Sequence, residues 1–480
     1  MWDMKRIVYF AICMVFSVAA NASDAWELQG GTYVVDTINH VKVGPGTTLT
    51  SLRLTGAQNL NLFYTTTDLT NPLIDIKVLK AKNTIFARQE VSGMALDNDC
   101  DTVQYFLGVN ADFFNMRKGN SIGSQVSGGR LVYVDNNGRT QWAWSDNRKP
   151  IMGEMNINCS VSIGNHRMNI SGVNVEENIN DIILYTPLYG KETDSNSNVL
   201  EIALCPIEDI AIGKTVKMQV VSNPTSGGRL SIPTNGYVIS GSGCQRFLIN
   251  QIRKGDILEF STYINIPNEG LVTPSEVVSG YPVILRDGVT TDPIDILKHL
   301  NDLHPRTAVG NNADATKLII LVVDGRSDES DGCTSKVLAD IMRCVGCDDA
   351  INLDGGGSSE LYIKNLGICN VPSDGKERTV ANGLYAVANA PIDNKIASIE
   401  FAQYYPTLNI NEAFTPIIYG YNKYGILVDV NVQGVKLSCN KKYGKIINKG
   451  HSLQPTQEGE FVLTAKMGEL STQTKAKVVK

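Results

Sequence analysis

Residues 318–326 read Leu318-Ile319-Ile320-Leu321-Val322-Val323-Asp324-Gly325-Arg326: six apolar side chains, then an acid, a glycine and a base. An apolar run of this length, rich in β-branched residues, has the pattern of a strand buried on both faces. Charge directly at its end puts Asp324 and Arg326 on a sheet rim, where sites are usually built. Working outward, residues 49–54, 73–79, 168–175, 182–185, 216–221 and 257–264 also have strand character, with Gly, Asn and Pro turns between them. Residues 129–134 followed by Asn136-Asn137-Gly138 predict a hairpin, because Asn-Gly supplies the positive φ of a two-residue turn. Helical periodicity is scarce. It is clearest over residues 334–345, where Thr334 or Ser335 can cap, Val337, Leu338, Ile341, Met342 and Val345 share a face, and Gly346 supplies the stop. A shorter helix is predicted near 295–300. The expectation is therefore an α+β class, strand-rich with few helices.

The chain has 480 residues, about three domains' worth. Its composition, 42% hydrophobic and 19% charged, excludes whole-chain disorder, collagen and coiled coil. A net charge of -6 gives no general electrostatic case for nucleic acid or an anionic membrane. Lys5 and Arg6, the apolar run 7–18 and Ala20-Asn21-Ala22 have the form of a secretory signal peptide, cleaved after about Ala22. That predicts an exported protein, periplasmic or extracellular, without stable membrane insertion. Residues 23–80 are expected to form a strand-rich N-terminal extension and 81–391 the main domain. From about residue 395 strand-like segments recur without helix, which suggests a small all-β immunoglobulin-like sandwich over 395–480. Residues 387–391 are the expected linker.

Ten cysteines are present, and Cys13 would leave with the signal, so nine remain. In an oxidising compartment disulfides are the default. A local Cys344–Cys347 bridge, or separate bridges to Cys333 and Cys369, is favoured over a redox pair or half a zinc site, with Cys439 the free thiol.

Four polar clusters fall where strands are expected to end: Asn110-Ala111-Asp112-Phe113-Phe114, His304-Pro305-Arg306-Thr307, Asp324-Gly325-Arg326, and Asn352-Leu353-Asp354-Gly355-Gly356-Gly357-Ser358-Ser359. Three consecutive glycines cost conformational entropy and usually serve close backbone approach or positive φ. Their N–H groups can form a nest for an oxyanion, although neither a nucleotide phosphate loop nor a dinucleotide fingerprint is present. Arg306, Arg326 and Arg378 can hold phosphate bidentately. Asp112, Asp324, Asp354, Glu360 and Glu377 supply carboxylates for acid–base or nucleophilic work. Asp324, Asp328 and Asp331 crowd one loop without EF-hand spacing, so no metal ligand is assigned. A bound divalent cation such as Ca²⁺ is compatible with that loop, but no cofactor is required.

In order along the chain, Gly108-Val109-Asn110-x-Asp112-Phe113-Phe114, Ser127-Gly128-Gly129, the 280–288 stretch beginning Gly280-Tyr281-Pro282, His304-Pro305-Arg306-Thr307-Ala308-Val309-Gly310, Val323-Asp324-Gly325-Arg326, the Asp354 glycine loop and Arg378-x-Val380-Ala381-Asn382-Gly383-Leu384 together resemble the phosphodiester glycosidase family, over about residues 80–390. Bacterial secreted proteins associated with exopolysaccharide belong to that family. The resemblance implies hydrolysis of a sugar-1-phosphodiester of the N-acetylglucosamine type, giving free sugar and a phosphomonoester. It would place Arg306 and Arg326 at the phosphate, with the Gly355, Gly356 and Gly357 amides, His304, Thr307, Ser358 and Arg378 around them. Asp354 or Asp324 would activate water or steady the anomeric carbon, with Asp112 and Glu360 as further carboxylates. Asn110 and Asn382 would orient sugar hydroxyls. One departure is Ala111-Asp112, where the family often carries paired glycines. Oligomeric state is not legible. Two other readings stand beside this one: a non-catalytic glycan-binding or adhesion protein on the same scaffold, and a phosphodiesterase releasing sugar-1-phosphate. Only five histidines in the chain argue against a metal-dependent version of the latter.

Overall fold

The computed structural model describes residues 24–195, 198–267, 270–291 and 300–480. The expected signal segment and the helix expected near 295–300 lie outside the described residues, apart from Leu300. Strand dominates and helix is sparse, in line with the strand-rich expectation.

The run quoted above forms the strand Lys317–Val323 and lies inside a nine-stranded sheet between Asn59–Asp68 and Arg306–Asn311, antiparallel to both. Its two faces divide by the period-2 rule. Leu318, Ile320 and Val322 pack into a core shared with a five-stranded sheet, against Ile76, Val78, Val109 and Leu384. Ile319, Leu321 and Val323 pack with the helix Ser335–Cys344, against Val337, Leu338, Ile341 and Met342. At roughly 1.5–3 kcal/mol of transfer free energy per fully buried aliphatic side chain, this strand is a major stabilising element of both cores. The helix begins as its sequence requires: the Thr334 hydroxyl accepts from the Val337 N–H at 3.2 Å, and Gly346 takes a φ of +99° at the stop.

The five-stranded sheet runs Gly367–Ile368, Leu361–Ile363, Gln104–Asn110, Asn382–Ala388, Ile74–Lys80. A second five-stranded sheet contains Thr140–Ser145, Pro274–Gly280 and Gln125–Ser127. A larger sheet holds most of residues 156–266. Near the C-terminus a three-stranded and a four-stranded sheet share one core of Phe401, Ile418, Leu437, Leu463 and Val478, an all-β two-sheet module.

Several expectations change. Residues 23–80 are no separate extension, because Asn59–Asp68 and Ile74–Lys80 are hydrogen-bonded into the main sheets. The Asn136-Asn137-Gly138 turn closes no hairpin. Arg130–Tyr133 pairs instead with Gln125–Ser127 across Gly128 and Gly129, both at positive φ, while Thr140–Ser145 joins different neighbours. The expected linker is partly strand and largely buried, with Ala390 inside the main core.

The disulfides are also corrected: all nine described cysteines are free thiols. Cys344 is exposed while Cys347 is buried against the helix, so the C-x-x-C side chains occupy opposite environments. Cys333 shares the Cys347 core, whereas Cys369 packs against the other one. Cys439 is one free thiol among nine.

Candidate active site

Two sheets end at the same place. Asn110 closes its strand in the five-stranded sheet, and Asn382 opens the neighbouring one. From the nine-stranded sheet, Arg306 and Thr307 open one strand, Asp324 follows another, and Asp354 lies just beyond Asp349–Asn352. Asn110 ties the two edges together. Its amide donates to the Asp354 carbonyl at 2.7 Å, and its carbonyl oxygen accepts from the Thr307 hydroxyl at 2.9 Å and the Glu360 N–H at 3.2 Å. The Asp354 N–H donates to the Ala111 carbonyl at 2.9 Å. Asn110 and Thr307 are fully buried, so their work is to fix the junction rather than to reach a ligand.

The glycine triplet follows from its neighbours. Gly356 has a φ of +63°, and a Cβ at Gly357 would stand 2.0 Å from the Arg378 guanidinium. The Gly356 N–H is already donated to the Pro305 carbonyl at 2.8 Å, so that amide is not offered to an anion. Arg378 bridges the loop, with Nε on Asp374 at 2.7 Å and Nη1 on the Ser358 hydroxyl at 3.3 Å.

Asp354 is partly exposed. Desolvation pushes its carboxyl up to about 6, against the Ser358 hydroxyl, the Gly355 N–H and the charges of Arg378 and Arg139. Glu360 is fully buried. Desolvation raises it to about 9, with the Arg378 N–H pulling the other way, and its Oε2 has no hydrogen-bond partner among the described residues. It is a neutral acid at pH 7. Asp112 is buried and raised to about 7 by desolvation. Oδ1 accepts from the Ser279 N–H at 2.8 Å, while Oδ2 and the Asn382 Nδ2 are both unpartnered among the described residues. Below them Lys80 donates to the carbonyls of Ala381, Gly119 and Ala87, and desolvation lowers it to about 7.

Two expected roles change. Arg306 is buried, and its guanidinium donates to the carbonyls of Cys333 at 3.0 Å, Leu300 at 3.3 Å and Asp302 at 2.8 Å, so it ties loops together. Asp324 is raised to about 6 by desolvation, yet its oxygens accept from Asn370 at 2.9 Å and from the Val371 N–H at 3.1 Å, which makes it an anchor for that loop. Asp331 accepts from the Asn59 N–H at 2.8 Å. Among the described residues no three acidic, imidazole or thiol side chains are grouped so as to hold a metal ion. Arg326, expected at the phosphate, lies on the surface of the same loop cluster. It is exposed, its backbone has a φ of +63°, and its guanidinium lies against Gly356 and 3.2 Å from the His304 Nδ1. A non-glycine residue in that region costs of order 1 kcal/mol and marks sites where geometry is enforced.

Sequence reading passed over Arg139. It leaves the Asn136-Asn137-Gly138 turn, and its guanidinium carbon stands 5.0 Å from the Phe113 ring and 5.9 Å from the Tyr281 ring. Its charge acts on both Asp112 and Asp354. Asp135, also facing it, lines a cavity of 1310 Å³ together with Phe86, Tyr133, Glu177 and Tyr189.

Residues 212–387 match the phosphodiester glycosidase family. The resemblance expected from the motifs is thus borne out, over a shorter span than 80–390. The matched segment carries the 280–288, His304, Asp324, Asp354 and Arg378 motifs, and leaves Asn110, Asp112 and Arg139 outside. The chain also shares 45% identity over 85 residues with the uncharacterized SPbeta prophage-derived protein YomE of Bacillus subtilis strain 168; that stretch is 18% of this chain and 13% of the relative's length. A crystal structure of a hypothetical protein from Synechocystis superposes at a TM-score of 0.58 with 18% identity, covering 72% of this chain and 62% of that one. A putative exported protein from Burkholderia pseudomallei superposes at 0.55 with 17% identity, covering 69% and 74%. At these identities the likeness is one of fold. No helix among the described residues is long and apolar enough to cross a membrane.

Proposed function

We propose that this protein is a hydrolase that cleaves the sugar–phosphate bond of a sugar-1-phosphodiester, with an N-acetylglucosamine-like sugar, as an exported enzyme. The observation that carries the reading is Asp354: a partly exposed carboxylate at the meeting of two sheets, flanked by cations and poised near pH 6. The phosphodiester glycosidase match over the same loop supports it.

In this reading the Asp354 carboxylate takes a proton from water as the water oxygen bonds to the anomeric carbon. The carbon–oxygen bond breaks and its electron pair leaves on the phosphate oxygen. Phosphate is a good leaving group, so charge stabilisation matters more than proton donation. Arg326, exposed beside Gly356, supplies positive charge at the loop. Glu360 and Asn110 hold the Arg378 and Asp354 backbones from below, as positioning residues. The orphan Asp112 and Asn382 atoms are polar groups that sugar hydroxyls can satisfy.

The test is product analysis on UDP-N-acetylglucosamine and a synthetic sugar-1-phosphodiester, with Arg326→Ala alongside. Free sugar from the wild type, strongly reduced in the variant, is the expected result. Sugar-1-phosphate would instead assign a phosphodiesterase, and absence of any product across a panel of sugars would favour a glycan-binding protein.

A further inference from the structure

We propose that Arg139 is the anion-receiving group of this site, seating two oxygens of the scissile phosphate on the edge of its guanidinium. This deepens the glycosidase reading and rests on it for the identity of the anion.

The chain path delivers Arg139 on purpose-built geometry. Gly138 takes a φ of +73° and turns the chain, and Arg139 then immediately precedes the strand Thr140–Ser145. Gly123 packs beneath it: a Cβ there would stand 2.6 Å from the Ser279 Cβ and 3.1 Å from the Arg139 Cδ. The guanidinium lies within cation–π distance of the Phe113 and Tyr281 rings. A cation–π contact holds the charge without pairing the N–H edge with an acceptor.

That edge has no hydrogen bond or ion pair with the described residues, although Arg139 is half-buried. The site's other buried or half-buried arginines are occupied. Arg306 donates to three carbonyls, and Arg378 is held by Asp374 and Ser358. No Arg139 nitrogen is among the buried unpartnered atoms, so its N–H groups reach solvent, and a preformed fork open to solvent is suited to an oxyanion. The neighbourhood points the same way. The Asn382 Nδ2, buried and unpartnered among the described residues, is a further donor on the same side as Asp112, whose N–H donates to the Asn382 amide oxygen. Asp354, whose charge acts on Arg139, would then stand beside the phosphate. As the carbon–oxygen bond breaks, the negative charge gathering on the phosphate would be met by a guanidinium already in place, so Arg139 contributes to turnover as well as to binding.

The experiment titrates inorganic phosphate calorimetrically into the wild type, Arg139→Gln, Arg139→Lys and the exposed-residue control Arg130→Gln. Steady-state kinetics on the synthetic sugar-1-phosphodiester follow, with circular dichroism and melting to confirm folding. Arg139→Gln is expected to weaken phosphate binding by roughly 10- to 100-fold, the loss of a bidentate charged contact, and to raise KM while lowering kcat. Arg139→Lys should lose the fork but keep the charge and fall between, which decides the matter if the glutamine variant folds poorly. Arg130→Gln should match the wild type. Phosphate binding in Arg139→Gln within twofold of the wild type would overturn the assignment, as would a wild type that binds no phosphate. Arg139-dependent phosphate binding in a protein that hydrolyses no sugar phosphodiester would sustain the receptor and sink the glycosidase reading.

Discussion

At the residue scale the candidate site is a set of carboxyl groups raised to different degrees by burial. Desolvation raises both, Asp354 to about 6 and Glu360 to about 9: hydrogen bonds from Ser358 and Gly355 and the charges of Arg378 and Arg139 hold Asp354 back, whereas the Glu377 and Asp374 charges push Glu360 further up. The sign for activity follows. Asp354 must be ionised to accept a proton, so kcat/KM should rise with pH through about 6. Glu360 must stay neutral, since its ionisation would bury an uncompensated charge under the loop, so the profile should fall above about 9. A flat profile between pH 5 and pH 10 would remove both groups from the account. Asp354→Asn should lower kcat by at least about 100-fold with melting unchanged, since general acid–base contributions are of that order. Arg306→Ala makes the opposite kind of prediction. It strips three carbonyls of a buried donor and should cost about 2–4 kcal/mol in denaturant unfolding. A stable Arg306→Ala protein that lost only phosphate affinity would return Arg306 to the ligand. Polar clusters such as Asp354-Gly355-Gly356-Gly357 are legible in sequence because glycine runs and charges at strand ends are uncommon. The difference between Arg306 and Arg139 is not legible, because it depends on which carbonyls lie within reach after folding.

At the element scale the helix Ser335–Cys344 was readable in full from its cap, apolar face and glycine stop. Thr334→Ala should cost about 1 kcal/mol, the usual worth of a side-chain cap, and leave kcat/KM unchanged. A loss of activity larger than the loss of folded protein would mean the helix end shapes the site through Cys333 and Arg306. The strand Lys317–Val323 was equally readable, since a run buried on both faces needs no alternation. Pairing was harder. Asn136-Asn137-Gly138 has the chemistry of a hairpin turn and does turn the chain, yet its flanking strands pair elsewhere. Local turn chemistry sets φ, while the register of a sheet is set by which faces must be buried. The helix Val91–Asn98 escaped notice because Gly93 interrupts a short, weakly amphipathic stretch.

At the scale of the whole molecule, the C-terminal module is more than an appendage. Ile426 belongs to the main core, the Tyr421 hydroxyl donates to the Lys42 carbonyl at 2.7 Å, and Asn365 donates to the Leu427 carbonyl at 2.8 Å. These contacts imply that truncation uncovers a buried apolar face and costs roughly 2–5 kcal/mol, comparable to the loss of a buried aliphatic side chain. Chemical denaturation of the truncated chain measures it; an unchanged midpoint would make the module an independent spacer after all.

What the amino-acid order determined by itself is the local alphabet: strands from apolar runs and alternation, one well-capped helix, glycines where the backbone needs positive φ, and charged clusters at strand ends. Those are consequences of sterics and periodicity within ten or so residues. Only the tertiary structure decided which charges serve the site. The thiols of Cys333, Cys344 and Cys347 remain unpaired, Arg306 is spent on carbonyls, and Arg139 arrives from another sheet to lie between Phe113 and Tyr281. Solvation and partnership in a folded protein are set by groups far apart in the chain, and no spacing in the sequence encodes them.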